Sequence, residues 1–442
     1  MMVNHVQNPT HDPLRQGRRA AAAAAILLAT VVSARAAERL SAAHASIEAA
    51  TAGRHVAALA DDAFEGREGG SRGGRAAGAY IMDALAKAGL EPAGDGGGYG
   101  QQFGGMRNIL ALLRGRDPQL ASEVVVVGAH YDHVGYGNQG NSYGPFGFVH
   151  NGADDNASGV AGLLELAEAL GHLPERPRRS ILVAFWDGEE KGLLGSRHFL
   201  RVRPAPLVGS RFVFSVNLDM IGRLRDRRLE VYGTRSARGL RSAVVAANVD
   251  PGHAAGLELV YNWDVTDDSD HYPFIAAGIP TLMFHTGLHD QYHRPSDDAH
   301  LVNLDGIEPV VRLSLGIVTA VADEAGAAPA FRPECRTESD ATRRALEAPA
   351  IAAGGSRGRW GIGTRADSCE ADAPVVVRVS ADSPAAKAGM LPGDRLLTVG
   401  GTKVADQSAM IDMLRAAGAT VDVEVERRGR ILRLEMRTEE AR

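Results

Sequence analysis

Asn151–Gly162 reads NGADDNASGVAG, and the rest of the chain is arranged around it. Two adjacent carboxylates, Asp154 and Asp155, sit in a glycine-bounded turn that runs directly into an apolar helix. From Ser158 onward, Val160, Leu163, Leu164, Ala167 and Leu170 recur on one helical face. Asn156 and Ser158 are good N-cap chemistries, and acids ahead of a helix complement its dipole. Alone, the stretch is also what a plain acidic N-cap looks like, so its surroundings must decide.

Outward from this turn, apolar strands alternate with amphipathic helices. Strands are predicted at Ile109–Leu113, Glu123–Ala129, Ser180–Trp186, Phe212–Leu218, Leu229–Tyr232, Leu257–Tyr261 and Thr281–Phe284. Helices fall near 158–171, 192–201, 236–248, 269–277 and 305–324. Continuous apolar strands, such as the four valines 124–127, imply a sheet covered on both faces. The expected fold is a doubly wound, mainly parallel α/β domain, in which ligands sit beyond the carboxyl ends of the strands. Residues 40–100 read as helices joined by glycine-rich loops.

The acids and histidines follow that placement. His130-Tyr131-Asp132 follows the valine strand, and Asp154-Asp155 opens the next helix. Glu189-Glu190 follows Ile181–Trp186, Asp219 ends Phe212–Leu218, and Tyr292-His293 lies after Thr281–Phe284. Imidazole nitrogens and carboxylate oxygens without thiolates suit hard or borderline divalent cations. A pair of ions needs one bridging carboxylate and two further ligands each, and two His, two Asp and one Glu supply that number. In the Glu189-Glu190 doublet, one residue can ligate while the other serves as general base. Either Asp154 or Asp155 can bridge on this reading.

These segments, taken in order, resemble the M28 family of co-catalytic zinc aminopeptidases. The resemblance rests on His130-Tyr131-Asp132, Gly152–Gly159, Asp187–Ser196, Asn217–Met220 and Tyr292-His293. Leu59–Arg67 and Ser269–Pro280 add to it, so that it spans roughly 50–325. It implies a zinc-exopeptidase-like fold with two zinc ions per chain. Asp155 would bridge, His130 and Asp219 would complete one site, and Glu190 and His293 the other. Glu189 would be the general base and Asp132 would orient the His130 ring. His133, His150, His271, His285 and His289 are left as pocket wall or supporting residues, with His271 foremost; Tyr131, Tyr261 and Tyr292 read as structural.

Further along, Arg359-Trp360-Gly361-Ile362-Gly363 and Ser383–Asp394 resemble a PDZ domain of the bacterial protease-associated kind. Short strands are expected at Val375–Val379, Arg395–Val399, Val421–Arg427 and Arg430–Met436, with a helix near Gln407–Ala417. Such grooves bind an extended peptide by strand addition and hold a terminal carboxylate in backbone amides.

Composition bounds the remaining choices. The chain has 442 residues, 45% hydrophobic and 23% charged, enough for a sizeable core. A net charge of −6 with no basic stripe excludes the nucleic-acid-binding class. Arg15, Arg18 and Arg19, the apolar run Ala20–Val32 and Ala34-Arg35-Ala36 read as a cleavable export signal. A periplasmic or secreted protein is expected, with no stable membrane span after cleavage. Cys335 and Cys369 have no zinc-thiolate spacing, and their separation leaves pairing open.

The expected organisation is therefore a signal peptide at 1–36, a peptidase-like domain at 37–325, a linker at 326–357 and a β-rich PDZ-like domain at 358–442. The resemblance implies removal of N-terminal residues from peptides with a free N-terminus, with the C-terminal module docking a peptide or partner. The alternatives are a carboxypeptidase, dipeptidase or glutaminyl cyclase on the same fold, or a non-enzymatic peptide-binding scaffold.

Overall fold

The computed structural model describes residues 40–252, 255–348 and 358–438. The predicted export signal and part of the expected linker lie outside these residues.

One sheet is built from β1 (Glu91–Pro92), β2 (Gly100–Phe103), β3 (Met106–Leu113), β4 (Glu123–His130), β5 (Ser180–Trp186), β6 (Arg211–Leu218), β7 (Arg228–Tyr232), β8 (Glu258–Asn262) and β9 (Thr281–His285). Their order is β1-β3-β5-β4-β6-β9-β7-β8, with β2 also on β3. The centre, β5-β4-β6-β9, is parallel throughout. β3 meets β5 antiparallel and β7 meets β9 antiparallel, so the sheet is mixed, with a parallel core. At one margin Gly104 and Gly105, both at positive φ, turn β2 back onto β3. A two-residue turn of that kind favours glycine and fixes an antiparallel hairpin.

The valines of β4 alternate between two cores. Val125 and Val127 join the cluster under helices Ala49–Leu59, Gly159–Gly171 and Leu304–Asp323. Val124 and Val126 join the opposite cluster, with Phe199 of helix Leu194–Arg201 and Phe274 of helix His271–Ala276. Both faces are buried, which is why this strand is continuously apolar.

The second unit is an antiparallel sheet of β10 (Ile362–Arg365), β11 (Val375–Val379), β12 (Arg395–Val399), β13 (Thr402–Lys403), β14 (Thr420–Arg427) and β15 (Arg430–Arg437). Its own core includes Trp360, Val376, Leu396, Met410 and Val423. The connecting stretch contains a helix. Helix Asp340–Glu347 is capped by Ser339, whose hydroxyl accepts the Thr342 N–H. No residue of that helix is fully buried, and only Ala341, Ala345 and Leu346 in it are apolar. Cys335 and Cys369 are buried free thiols.

The two units share a polar interface. Leu259 N–H, on the outermost strand β8, donates to the Arg428 carbonyl at 2.9 Å. Arg241 places Nη2 2.7 Å and Nε 3.0 Å from Glu426 Oε2. Arg235 bridges Glu338 and Asp367, and Asp367 in turn receives Arg395 at 2.9 Å. Gly429 sits at φ 80°, and a Cβ there would lie 2.4 Å from Leu259 Cγ.

Candidate metal centre and active site

The carboxyl ends of β4, β5, β6 and β9 converge on one cavity of about 240 Å³, lined by His130, Asp155, Glu189, Glu190, Asp219 and His293 among others. This is the place where parallel strands leave a crevice for a ligand.

The acidic turn builds its centre. Ala157 N–H bonds back to the Gly152 carbonyl at 3.1 Å, making one wide turn ahead of the helix. Gly152 adopts φ 53°, and a Cβ there would lie 2.1 Å from the Asp155 carbonyl oxygen. Asn156 pins the turn to the end of β6: its amide donates to Leu218 O at 3.0 Å, and its carbonyl accepts Gly159 N–H at 3.0 Å and Met220 N–H at 3.1 Å.

The two adjacent acids then diverge. Asp155 directs Oδ1 to His130 Nε2 at 3.4 Å and Oδ2 to His293 Nε2 at 3.1 Å. Asp154 faces away, accepting Gly222 N–H at 2.7 Å and Ser158 Oγ at 3.0 Å, with His289 Nε2 3.2 Å from its other oxygen. Around Asp155 the groups fall into two sets: His130, Asp155 and Asp219, and His133, Asp155, Glu190 and His293. His130 Nε2 lies 3.3 Å from Asp219 Oδ1, and His293 Nε2 lies 3.2 Å from Glu190 Oε2.

His133, read from sequence as wall or support, stands closer than that. Its Nδ1 is 2.8 Å from Glu190 Oε1 and 3.7 Å from Asp155 Oδ2. Asp132 also differs in detail. The His130 Nδ1 contact at 3.1 Å is to the Asp132 main-chain carbonyl, while the carboxylate is 3.8 Å away. That carboxylate instead accepts the Glu189 N–H at 3.0 Å, holding the residue that follows β5. His271 is buried among neighbours that offer neither ring nitrogen a hydrogen bond, and it joins neither set. Tyr292 stacks on His293 with ring centres 3.9 Å apart, whereas Tyr261 lies at the interface with the second unit.

Residues not singled out as ligands carry the support. Asp297 Oδ2 accepts the N–H groups of Asp154 at 2.9 Å and Asp155 at 3.0 Å, and its Oδ1 pairs with Arg223 at 2.8 Å. Arg67 is fully buried and donates to the carbonyls of Leu59, Tyr131, Asn151 and Gly152. Ser269 Oγ donates to Asp219 Oδ2 at 2.5 Å.

The charges are unbalanced. Burial alone would lower the His130 pKa, yet Glu189 and Asp219 hold it well above its usual value. Burial likewise opposes His293, but Asp155 and Glu190 push it up to about 10. Burial, then the neighbouring acids, raise Glu189 well above a normal glutamate. Histidines that hold protons so strongly report an excess of buried carboxylate, which a divalent cation neutralises. The donor set of imidazole nitrogen and carboxylate oxygen fits such an ion.

Fold and site together define a doubly wound α/β domain with an imidazole–carboxylate centre at its strand ends. Residues 108–318 match the profile of Peptidase family M28, and residues 375–427 match that of the PDZ domain. The chain thus carries an M28 peptidase domain followed by a PDZ domain. It is 30% identical over 209 residues to aminopeptidase YwaD of Bacillus subtilis, covering 46% of this chain and 42% of that one. It is also 30% identical over 191 residues to the probable lipoprotein aminopeptidase LpqL of Mycobacterium tuberculosis, covering 40% and 33%. The matched region spans less than half the length of these relatives. The fold is similar to that of LapA aminopeptidase from Legionella pneumophila, with a TM-score of 0.55 at 18% identity, covering 65% of this chain and 76% of that one.

Proposed function

We propose that the protein is a zinc aminopeptidase that removes N-terminal residues from peptides. The observation that carries this reading is the division of Asp155, one oxygen toward His130 and the other toward His293. His130, Asp155 and Asp219 would hold one zinc ion, and Asp155, Glu190 and His293 the second. When bound, the metals polarise the scissile carbonyl and acidify water. Glu189 takes the proton from the attacking water and passes it to the leaving amine. Its backbone N–H is held for this by the Asp132 carboxylate. Met220, Met283 and Leu288 give the same cavity apolar surface for a substrate side chain. Export to the periplasm or medium accords with the basic, apolar N-terminus.

The PDZ domain would dock longer peptides. Its β10 is the outermost strand of its sheet, and Gln407, from the adjacent helix, donates to the Thr364 carbonyl at 2.8 Å. Gln407→Ala frees that acceptor for an incoming strand. It should raise kcat/KM on ten-residue peptides severalfold and leave dipeptide anilides unchanged; equal effects on both would sink the docking role.

The activity itself is tested with aminoacyl-anilides carrying a free or acetylated N-terminus, with and without chelator. Hydrolysis of the free-amine forms alone, lost with chelator and restored by zinc at two ions per chain, is the expected result. Hydrolysis of neither form, with turnover of C-terminally free peptides, would make it a carboxypeptidase or dipeptidase.

A further inference from the structure

Between the outermost strand β8, helix Asp340–Glu347 and the PDZ domain lies a second cavity of about 700 Å³. None of its lining comes from β10 or from helix Gln407–Ala416, so it is separate from the strand-addition groove. It is also separate from the metal centre, with which it shares no residue.

Its charge is lopsided. The lining holds the acids Glu258, Glu347 and Asp394, and each already has an arginine of its own. Arg428 lies 2.8 Å from Glu258, Arg343 lies 2.8 Å from Glu347, and Arg427 bonds both oxygens of Asp394. Arg228 and Arg430 remain, exposed and with no carboxylate partner among the described residues. At the floor, Arg241 uses Nε and Nη2 on Glu426, while its Nη1 is buried without a partner. Its guanidinium carbon stands 3.8 Å from the centre of the Tyr261 ring, and the Tyr261 hydroxyl is also buried without a partner.

Guanidinium N–H groups can only donate, and two unpaired positive charges flank them. Such a site calls for an anionic acceptor. Leu259, Leu391 and Leu432 give the same cavity apolar walls, and its volume is that of an organic-ligand pocket rather than of a simple-ion site. A bare inorganic anion leaves those walls uncovered, whereas a carboxylate on an apolar chain satisfies both features.

We propose that this interdomain cavity binds the terminal carboxylate of a peptide, with Arg228 and Arg430 at its mouth and Arg241 and Tyr261 at its floor. It is a peptide site distinct from both the metal centre and the strand-addition groove, and it is independent of the zinc reading.

Calorimetric titration of the full zinc-loaded chain tests it with three probes: N-acetyl-alanyl-leucine, its C-terminal amide, and inorganic phosphate. Acetylation keeps the probes from being substrates at a free-amine site. The acid should bind, with the amide weaker by about tenfold or more, the loss expected for one charge-assisted hydrogen bond. Phosphate should be weaker than the acid by a similar factor. Arg228→Glu and Arg430→Glu lie on the surface and should fold; each should weaken the acid by about tenfold with anilide turnover unchanged. Equal binding of acid and amide, or acid binding unchanged in both charge reversals, overturns the proposal. Carboxylate capture at the metal centre would give the latter pattern. Phosphate binding as tightly as the acid overturns the peptide assignment and marks the cavity as a site for free phosphate.

Discussion

Asp297 receives the backbone N–H of Asp155 on Oδ2 at 3.0 Å, although 142 residues separate them in the chain. The same oxygen takes the Asp154 N–H, so one carboxylate sets the orientation of the turn that carries Asp155. Asp297→Ala leaves two buried amides and the Arg223 guanidinium without their acceptor. The expected loss is about 3 kcal/mol in stability, together with weakened metal binding, because each unmade buried hydrogen bond costs on the order of 1–3 kcal/mol. Thermal unfolding and metal analysis on the same sample check both effects.

Glu189→Gln keeps the shape of the side chain and removes its basicity. Turnover should fall by about 10²–10⁴-fold while bound zinc stays at the wild-type ratio. Near-normal turnover with full metal content would remove Glu189 from the proton-transfer role.

Glu165 gives a stability dependence on pH that lies away from the metal centre. It is buried on helix Gly159–Gly171, and burial, reinforced by Glu168, raises its pKa from 4.5 to about 7 against the opposing Glu48 N–H bond. Between those values the folded state keeps a proton that the unfolded chain has released. Stability therefore falls as pH rises through this window, by up to about 3 kcal/mol. Glu165→Gln should melt above wild type at pH 8 and alongside it at pH 4. Identical melting curves at pH 8 would contradict this.

Glu426→Ala strips Arg241 of its partner inside the interface. Removing one member of a buried pair costs about 3–5 kcal/mol. We expect the single calorimetric transition of the wild type to split, with the PDZ domain melting first and becoming protease-sensitive. A variant that still unfolds in one step would show that the Leu259 N–H bond to Arg428 and the Asn248 side-chain amide, which donates to the Gly429 carbonyl at 2.9 Å, suffice.

Much of the site was legible because its residues obey strand logic. His130, Glu189, Asp219 and His293 each follow an apolar strand, and residue type did the rest. Asp155 rather than Asp154 was legible only through the resemblance; in space, Asp155 faces His130 and His293 while Asp154 turns toward Gly222 and Ser158. Asp297 and Arg223 were illegible for a different reason; Arg67 ended a segment that carried the resemblance, but nothing there pointed to its supporting role. Each is a single residue acting across a long separation, with no period or spacing to mark it. Helix Asp340–Glu347 escaped because it is short and mostly polar, with only Ala341, Ala345 and Leu346 apolar. The antiparallel margin had a signal, the Gly104-Gly105 pair, but one weaker than the run of apolar strands behind the parallel reading.

The contact between Leu259 and Arg428 reaches beyond the geometry of the interface. β8 is where the nine-stranded sheet stops, and a bare terminal strand offers its amides to any neighbouring chain. Here the β14–β15 turn occupies that border, with Gly429 lying flush against Leu259. The downstream module is then a guard against self-association. A truncated peptidase domain should accumulate as oligomers under conditions where the full chain stays monodisperse, and a charged residue introduced on β8 should restore its solubility.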